Sequence, residues 1–391
     1  MLPRHVASRN PRVTVVSAVV SPRQGGPAIQ LARRVDATRD VIDYRLYGVV
    51  GSVDSEVVKA ILPQMRLFRP CAPRRWFYAP RLQAALNDEA NSCDVFHAHM
   101  LWDYPVWAAQ SAARRTDKPL VISPHGSLIA RWRQRGIHKL VYKQIFLRRF
   151  VRDRTVVHVL NNAEAAACLE WGLDCPMEII PNGVPRSAFS EPGDAEAALW
   201  RWRWLRGRRV LLFLGRIARE KGIDLLLEAW QRSKGLRGSA DWILVIAGPD
   251  YRGYARMVEG EIRDRGLTDS VFLLGPVWHA EKRSLLAASE CFVLPSRSEA
   301  MSNAVLEAMA AGLPAIVTRE CNLPELAKAG GGWEVPCAVE ELSHCIGTIM
   351  RMTPEELRAA GERGRQLGLR EYTLEGACEK FITMYRKLAG C

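Results

Sequence analysis

The sequence predicts an α/β protein made of two doubly wound parallel-sheet domains. Three observations carry that expectation. The chain has 391 residues, more than one compact core accommodates. Short apolar runs alternate with longer amphipathic stretches along its length, which is the punctuation of βαβ units. Its 48% hydrophobic and 25% charged residues are the proportions of a globular domain rather than of a disordered or fibrous chain.

Taken in order, the first strand is expected in VTVVSAVV at 13–20. That run is too short for a secretory leader, lacks a small-residue cleavage site, and runs into the polar loop SPRQGGP. DYRLYGVV, DVFHAH, PLVISPHG and TVVHVL continue the first domain, and MEIIPNGV at 177–184 closes it. Strands of the second domain are expected in VLLFLG, WILVIAG, VFLLG, CFVLP, AIVT and WEVP. Helical patterns such as IDLLLEAWQRS and YARMVEGEIRDRG lie between them. The expected division is 1–190, 191–370, and a C-terminal helix at 371–391 that can pack back on the first domain. EPGDAEAALWRWRWLRGRR at 191–209, with Trp200, Trp202 and Trp204, reads as a packed connection or as a basic aromatic patch. No run of apolar residues is long enough to span a bilayer. Ten cysteines without CxxC or metal-like spacing read as free thiols of a reducing compartment.

The net charge of +13 is uneven, with +11 of it in residues 1–185. RWRQRGIHKLVYKQIFLRRFVRDR at 131–154 carries nine basic residues against one acid, with apolar residues between them. It reads either as a basic amphipathic helix for an anionic membrane surface or as an ordinary helix with solvated cations. No nucleic-acid recognition motif accompanies the charge, so nucleic acid is not expected as a partner.

Open α/β sheets bind ligands beyond the carboxyl ends of their strands, so the chemistry is sought there. In LGRIAREKG at 214–222, Gly215 ends a strand, and Arg216 and Lys221 flank a helix start, a place suited to phosphate oxygens or to a solvated basic loop. In PSRSEAMSNAVLEAMAAGLP at 295–314, Glu299 precedes a helix expected to start near Ser302 and Asn303, and Glu307 lies just over a turn inside it. Carboxylates there can accept vicinal hydroxyls of a sugar; alternatively Ser296 and Glu299 form a capping box and Glu307 is a surface residue. Gly25 and Gly26 let backbone N–H groups reach an anion, or serve as a plain turn. His97, His99 and His125 end strands; no third zinc ligand stands out, and His125 beside Gly126 is placed for a polar contact to substrate. GxxxxGK[ST] and GxGxxG are both absent.

Together these motifs resemble the retaining glycosyltransferases of family 4, whose fold is GT-B. The most specific likeness is the E-x7-E pair Glu299 and Glu307 followed by AMAAGLP; LGRIAREKG, IAGPD, LGPV and IIPNGV add to it. PHGSL and the basic stretch resemble the branch that builds bacterial exopolysaccharide and surface polysaccharide. The resemblance implies that Arg216 and Lys221 bind a donor diphosphate, with Gly215, Ser302 and Asn303 at the donor site. Glu307 would hold the ribose and Glu299 the transferred sugar. Gly25 and Gly26 would approach the phosphates, and Gly275 to Val277 would line the base pocket. His125 would stand near the reacting carbon. Where the family often has Glu-Gly-Phe-Gly, this chain has Glu299-Ala300-Met301-Ser302, which bears on which sugar is taken.

The resemblance thus implies a hexosyltransferase that uses a UDP- or GDP-linked sugar and a lipid-linked or saccharide acceptor, with retention. The expected pathways are exopolysaccharide, capsule or lipopolysaccharide assembly. No metal or other cofactor is expected, because the cations replace one. The expected location is cytoplasmic, peripheral on the inner membrane face. The alternatives are a catalytically silent sugar-nucleotide-binding protein and, disfavoured by the missing glycine fingerprint, an NAD-type dehydrogenase.

Overall fold

The computed structural model describes residues 9–21, 25–50, 54–129, 147, 154–191, 193–233 and 241–391. The chain divides into two compact units, 1–182 with 374–391, and 183–373. The basic stretch at 131–154 lies almost wholly outside the described residues, as do Pro22, Arg23 and Gln24 of the first loop.

The first unit is a seven-stranded parallel sheet. Its strands are β1 (Arg12–Ser17), β2 (Asp43–Val49), β3 (Arg66–Phe68), β4 (Val95–His99), β5 (Leu120–Ser123), β6 (Thr155–Val159) and β7 (Met177–Ile179), in the order β3-β2-β1-β4-β5-β6-β7. Helices α1 (Gly26–Thr38), α2 (Ser55–Ile61), α3 (Pro80–Glu89) and α4 (Tyr104–Arg115) connect its first strands. β-Branched residues fill these strands, and Val13, Val15, Val16, Val95, Val121 and Val157 are fully buried. Burying each such side chain contributes about 1.5–3 kcal/mol relative to leaving it in water. The order reverses at β1, which lies between β2 and β4, so the loops after β1 and β4 diverge and open a crevice.

The last helix, Leu374–Ala389, belongs to this unit although it ends the chain. Its Ala377, Phe381, Met384 and Tyr385 pack in one core cluster with Val13, Leu31 and Val95. β3 was not among the expected strands. It has three residues, of which only Phe68 is buried, so it carries no apolar run to read.

The second unit is a six-stranded parallel sheet of β8 (Arg209–Leu214), β9 (Trp242–Ala247), β10 (Val271–Gly275), β11 (Cys291–Leu294), β12 (Ala315–Thr318) and β13 (Gly332–Val335), in the order β10-β9-β8-β11-β12-β13. All six residues of β9 are buried. Here the reversal falls at β8, between β9 and β11, so β8 and β11 deliver their following loops to the switch point. The connecting stretch forms a helix at Ala195–Arg201, capped by Asp194, and one 3-10 turn at Arg203–Leu205. Trp204 stacks on Phe272 with ring centroids 4.1 Å apart, while Trp200 is exposed, so the three tryptophans form no common patch. Among the described residues no helix is long and apolar enough to cross a membrane.

Candidate functional site

In the second unit the chain leaves β8 through Gly215 and Arg216, makes a single 3-10 turn at Arg219–Lys221, and enters the helix Ile223–Ser233. Gly222 between them has φ 69°, and a Cβ there would stand 2.0 Å from the Pro295 carbonyl oxygen. Only glycine allows the two loops to approach so closely. The approach sets Lys221 Nζ against Glu299 Oε1 in an ion pair whose side chains are 13% and 11% exposed. Ser296 Oγ donates to the same Glu299 oxygen at 2.7 Å. Glu299 is therefore paired through its side chain rather than capping a helix with Ser296.

The loop carrying Glu299 is fixed from both sides. Asn322 Nδ2 donates to the Glu299 carbonyl at 2.7 Å, and Glu299 N donates to the Glu320 carbonyl at 3.0 Å. Arg297 makes two 2.7 Å bonds to the Asp224 carboxylate and donates to the Arg219 carbonyl at 2.8 Å. Burial pushes the Asp224 carboxyl up, but the Arg297 fork outweighs it and leaves its pKa below the ordinary value. Arg216 lies over the Tyr251 ring at 4.7 Å and pairs with Glu220 at 3.3 Å.

The helix Asn303–Ala310 follows, with Ser302 at its N-cap and no side-chain cap bond from it. Its positive end thus lies one short loop from Glu299. Glu307 inside this helix is held by Lys282 Nζ, at 2.7 and 2.8 Å from its two oxygens. Lys282 comes from the helix His279–Ala287. Gly275 ends β10 with φ 74°, and Val277 just beyond it is buried. The second unit therefore brings Lys221 and Glu299 into contact, keeps Arg216 in the same β8-to-helix connection as Lys221, and gives each of Glu299 and Glu307 a lysine partner.

In the first unit, Gly25 precedes α1 with φ 121°, and Gly26 opens that helix without a side-chain cap. His125 follows β5 with φ 51°, a conformation unfavourable for a residue with a Cβ. The turn is held by Glu164, which is fully buried and accepts the N–H groups of Gly126 and Leu160. Burial raises the Glu164 pKa, and those two N–H bonds partly offset the rise. The Asn161-x-x-Glu164 spacing reads as a capping box from sequence alone. Asn161 Oδ1 does cap Glu164 N at 2.9 Å, but the acid turns to the His125 loop instead.

His97, His99, His125 and His158 lie in two hydrogen-bonded chains whose direction follows from their ends. A carbonyl only accepts, so His158 Nε2–H donates to Ile180 O at 2.8 Å and its Nδ1 is bare. Ser123 Oγ–H then donates to His158 Nδ1, His97 Nε2–H to Ser123 Oγ, and Tyr385 Oη–H to His97 Nδ1, each at 2.6 Å. Arginine only donates, so His99 Nε2 accepts from Arg34 at 3.2 Å, and His99 Nδ1–H donates to His125 Nε2 at 2.7 Å. His125 keeps Nδ1–H as the donor that these bonds leave unused. Each ring is neutral in this scheme. Burial lowers the pKa of His97 and His99 well below the usual range and pulls His125 and His158 down to about 3.

Arg34 itself is 5% exposed, lies over Phe381 at 4.1 Å, and leaves its Nε without a partner. It lines a cavity of about 20 Å³ with His99, His125, His158 and Asn182, room for one water. Among the described residues no group of three or more His, Cys, Asp or Glu is arranged to hold a metal ion.

Lys282, Arg297, Asp224, Glu164, Arg34 and Tyr385 were not singled out from sequence. Lys282 and Arg34 occupy helices with no motif, and Tyr385 is 288 positions from the histidine it holds. Only Glu164 carried a local signal, and that signal named the wrong partner.

Residues 4–188 match the family model described as Glycosyltransferase Family 4, and residues 194–367 the model described as Glycosyl transferases group 1. The D-inositol 3-phosphate glycosyltransferase of Mycobacterium tuberculosis (strain H37Rv) is 26% identical over 253 residues, which are 61% of this chain and 49% of that protein. The match thus spans about half the length of these curated relatives. The crystal structure of Anabaena Alr3699/HepE in complex with UDP is similar with a TM-score of 0.78 at 16% identity, covering 96% of this chain and 100% of that one. Sucrose-phosphate synthase from Thermosynechococcus elongatus is similar with a TM-score of 0.74 at 18% identity, covering 98% and 100%. These likenesses show the fold: two Rossmann-like parallel-sheet units of the GT-B type.

Proposed function

We propose that this chain, which carries a family 4 and a group 1 glycosyltransferase domain, transfers a hexose from a nucleotide-diphosphate sugar to a lipid-linked or saccharide acceptor. The observation that carries the proposal is the contact of Lys221 with Glu299 at the switch point of the second sheet, one loop before an uncapped helix N-terminus. A cation, an acid and the positive end of a helix there are what a diphosphate sugar needs. The UDP complex of the Anabaena neighbour supports this choice of donor.

In this reading Lys221 and Arg216 exchange their carboxylate partners for diphosphate oxygens when the donor arrives. Glu299, released from Lys221 but still bonded to Ser296, accepts hydroxyls of the transferred sugar. Glu307 accepts the ribose hydroxyls, with Lys282 keeping its carboxylate charged and oriented. As the glycosidic bond breaks, positive charge grows on the sugar and negative charge on the diphosphate. Contacts that strengthen during that separation lower the barrier. The leaving phosphate takes the acceptor's proton on the same face, so configuration is retained and no enzyme nucleophile is used. His125, neutral and offering Nδ1–H, serves as a hydrogen-bond donor on the first unit rather than as a base. We place the reaction in surface-polysaccharide assembly at the inner membrane face, without a metal ion.

The test is a thermal-shift screen against UDP-, GDP- and ADP-sugars. One nucleotide class should raise the unfolding midpoint, by the equivalent of about 2.7 kcal/mol at a hundred times its dissociation constant. Radiolabelled sugar from that donor should then appear in membrane-extracted acceptor with its anomeric configuration kept. No shift with any nucleotide sugar contradicts the proposal. A shift without transfer to any acceptor favours a silent binding protein.

A further inference from the structure

A groove of about 460 Å³ lies between α3 and α4 of the first unit, lined by none of the residues assigned above. Trp76, Tyr78, Tyr104 and Trp107 form its walls, with Gln83 and Asn87 from α3 between them. The rings brace one another: Tyr78 meets Tyr104 edge-on with centroids 4.8 Å apart, Trp76 meets Tyr104 edge-on at 5.3 Å, and Tyr104 stacks with Trp107 at 5.5 Å. Trp76, Tyr78 and Trp107 nevertheless remain half-buried, with surface left open. Rings that served only the core would be covered.

The polar atoms define what fits. The Ala108 carbonyl and Asn87 Oδ1 both face Gln83 Nε2, at 3.4 and 3.0 Å, which fixes the carboxamide's orientation. Gln83 Oε1 is then left without a partner, so the amide edge of the groove is incompletely satisfied. No charged side chain is among the described residues lining the groove. Apolar ring faces edged by uncharged donors and acceptors match a sugar ring, which has a C–H face and a rim of hydroxyls. A lipid tail would leave the amides unsatisfied, and an anionic ligand would find no cation.

The position also has meaning. α4 begins at Tyr104, five residues after His99 ends β4, and Trp102 Nε1 donates to Ser127 O at 3.0 Å in the turn that carries His125. Tyr104 and Trp107 of the groove thus belong to the first turn of a helix that leaves the carboxyl edge of the sheet.

We propose that this groove binds a neutral saccharide, namely the part of a glycan acceptor distant from the hydroxyl that receives the new sugar. The word acceptor rests on the proposed function; saccharide binding does not. The full-length protein is titrated with neutral gluco-, galacto- and manno-oligosaccharides, read by tryptophan fluorescence and calorimetry. At least one should bind, and Trp107→Ala should weaken it about tenfold, the loss expected for one stacked aromatic face. Asn87→Ala, which leaves the rings in place, should weaken the same ligand with an unchanged unfolding midpoint. Both variants should bind nucleotide sugar as the wild type does, because that is the work of the second unit. Donor binding therefore reports on the proposed function separately from the groove. Failure of every oligosaccharide to bind at millimolar concentration, equal affinity in both variants, or displacement of the saccharide by monomeric nonionic detergent overturns the proposal.

Discussion

Replacing Lys221 with alanine is expected to lower sugar transfer about 10²–10³-fold, the cost of removing one group that stabilises charge at the transition state. The fold should survive. Glu299 loses its ion-pair partner but keeps Ser296 Oγ at 2.7 Å, and its loop stays pinned by Asn322 and by the Arg297–Asp224 pair. The stability lost is then about 1–3 kcal/mol, that of one polar partner removed from a partly buried group. Steady-state kinetics with the donor identified by thermal shift, alongside urea unfolding, separate the two effects. Lys221→Arg should recover part of the rate because it restores charge at nearly the same reach. Wild-type turnover in Lys221→Ala would remove Lys221 from the donor reading altogether.

Acid should unfold the first unit before the second. His97, His99 and His158 are 0%, 3% and 3% exposed, and each has its ring nitrogens bonded as a neutral imidazole. An unfolded histidine takes up a proton near its ordinary pKa of 6.5, whereas these folded ones stay neutral far below it. Between those limits the unfolded state holds more protons, so stability falls as pH falls. The slope approaches about 1.4 kcal/mol per pH unit for each histidine once the pH is well below 6.5. The three histidines act in the same direction, while buried Asp103, whose carboxyl burial raises to about 7, and Glu164 of the same unit act in the opposite one and offset part of the loss. His125 is partly open and adds less. Hydrogen exchange at pH 7.5 and pH 5 resolves the units: peptides from β1, β4 and β6 should lose protection at the lower pH while those from β8 and β9 keep theirs. Equal protection at both values would mean the imidazoles are charged or solvated in the folded state.

Both sheets were legible in the sequence because their strands are almost wholly apolar and their loops are punctuated by glycine and proline. Gly215 and Pro295 marked the ends of β8 and β11, and Gly222, expected at a helix start, is the residue that lets the two loops approach. The acids Glu299 and Glu307 were visible through their spacing about a helix start. Their lysine partners were not equally visible. Lys221 shares a recognisable loop, but Lys282 lies in an ordinary amphipathic helix, and only its reach to the Glu307 carboxylate gives it a role. The histidine chains were invisible for a related reason. His97 and His99 alternate along β4, yet their chemistry depends on Arg34 from α1 and Tyr385 from the final helix, contacts that exist only after the termini of the unit come together. The unit boundary at 182/183 and the return of the chain at 373/374 are likewise set by which core the last helix joins, not by composition.

The central claim is that the diphosphate of a nucleotide sugar is neutralised by Arg216, Lys221 and helix N–H groups, without a metal ion. Calorimetric titration of that donor into the wild-type protein, once in EDTA and once in magnesium or manganese, tests it most directly. The account predicts the same dissociation constant in both buffers and a weaker one for Lys221→Ala in each. Binding that vanishes in EDTA and returns with the metal would contradict it.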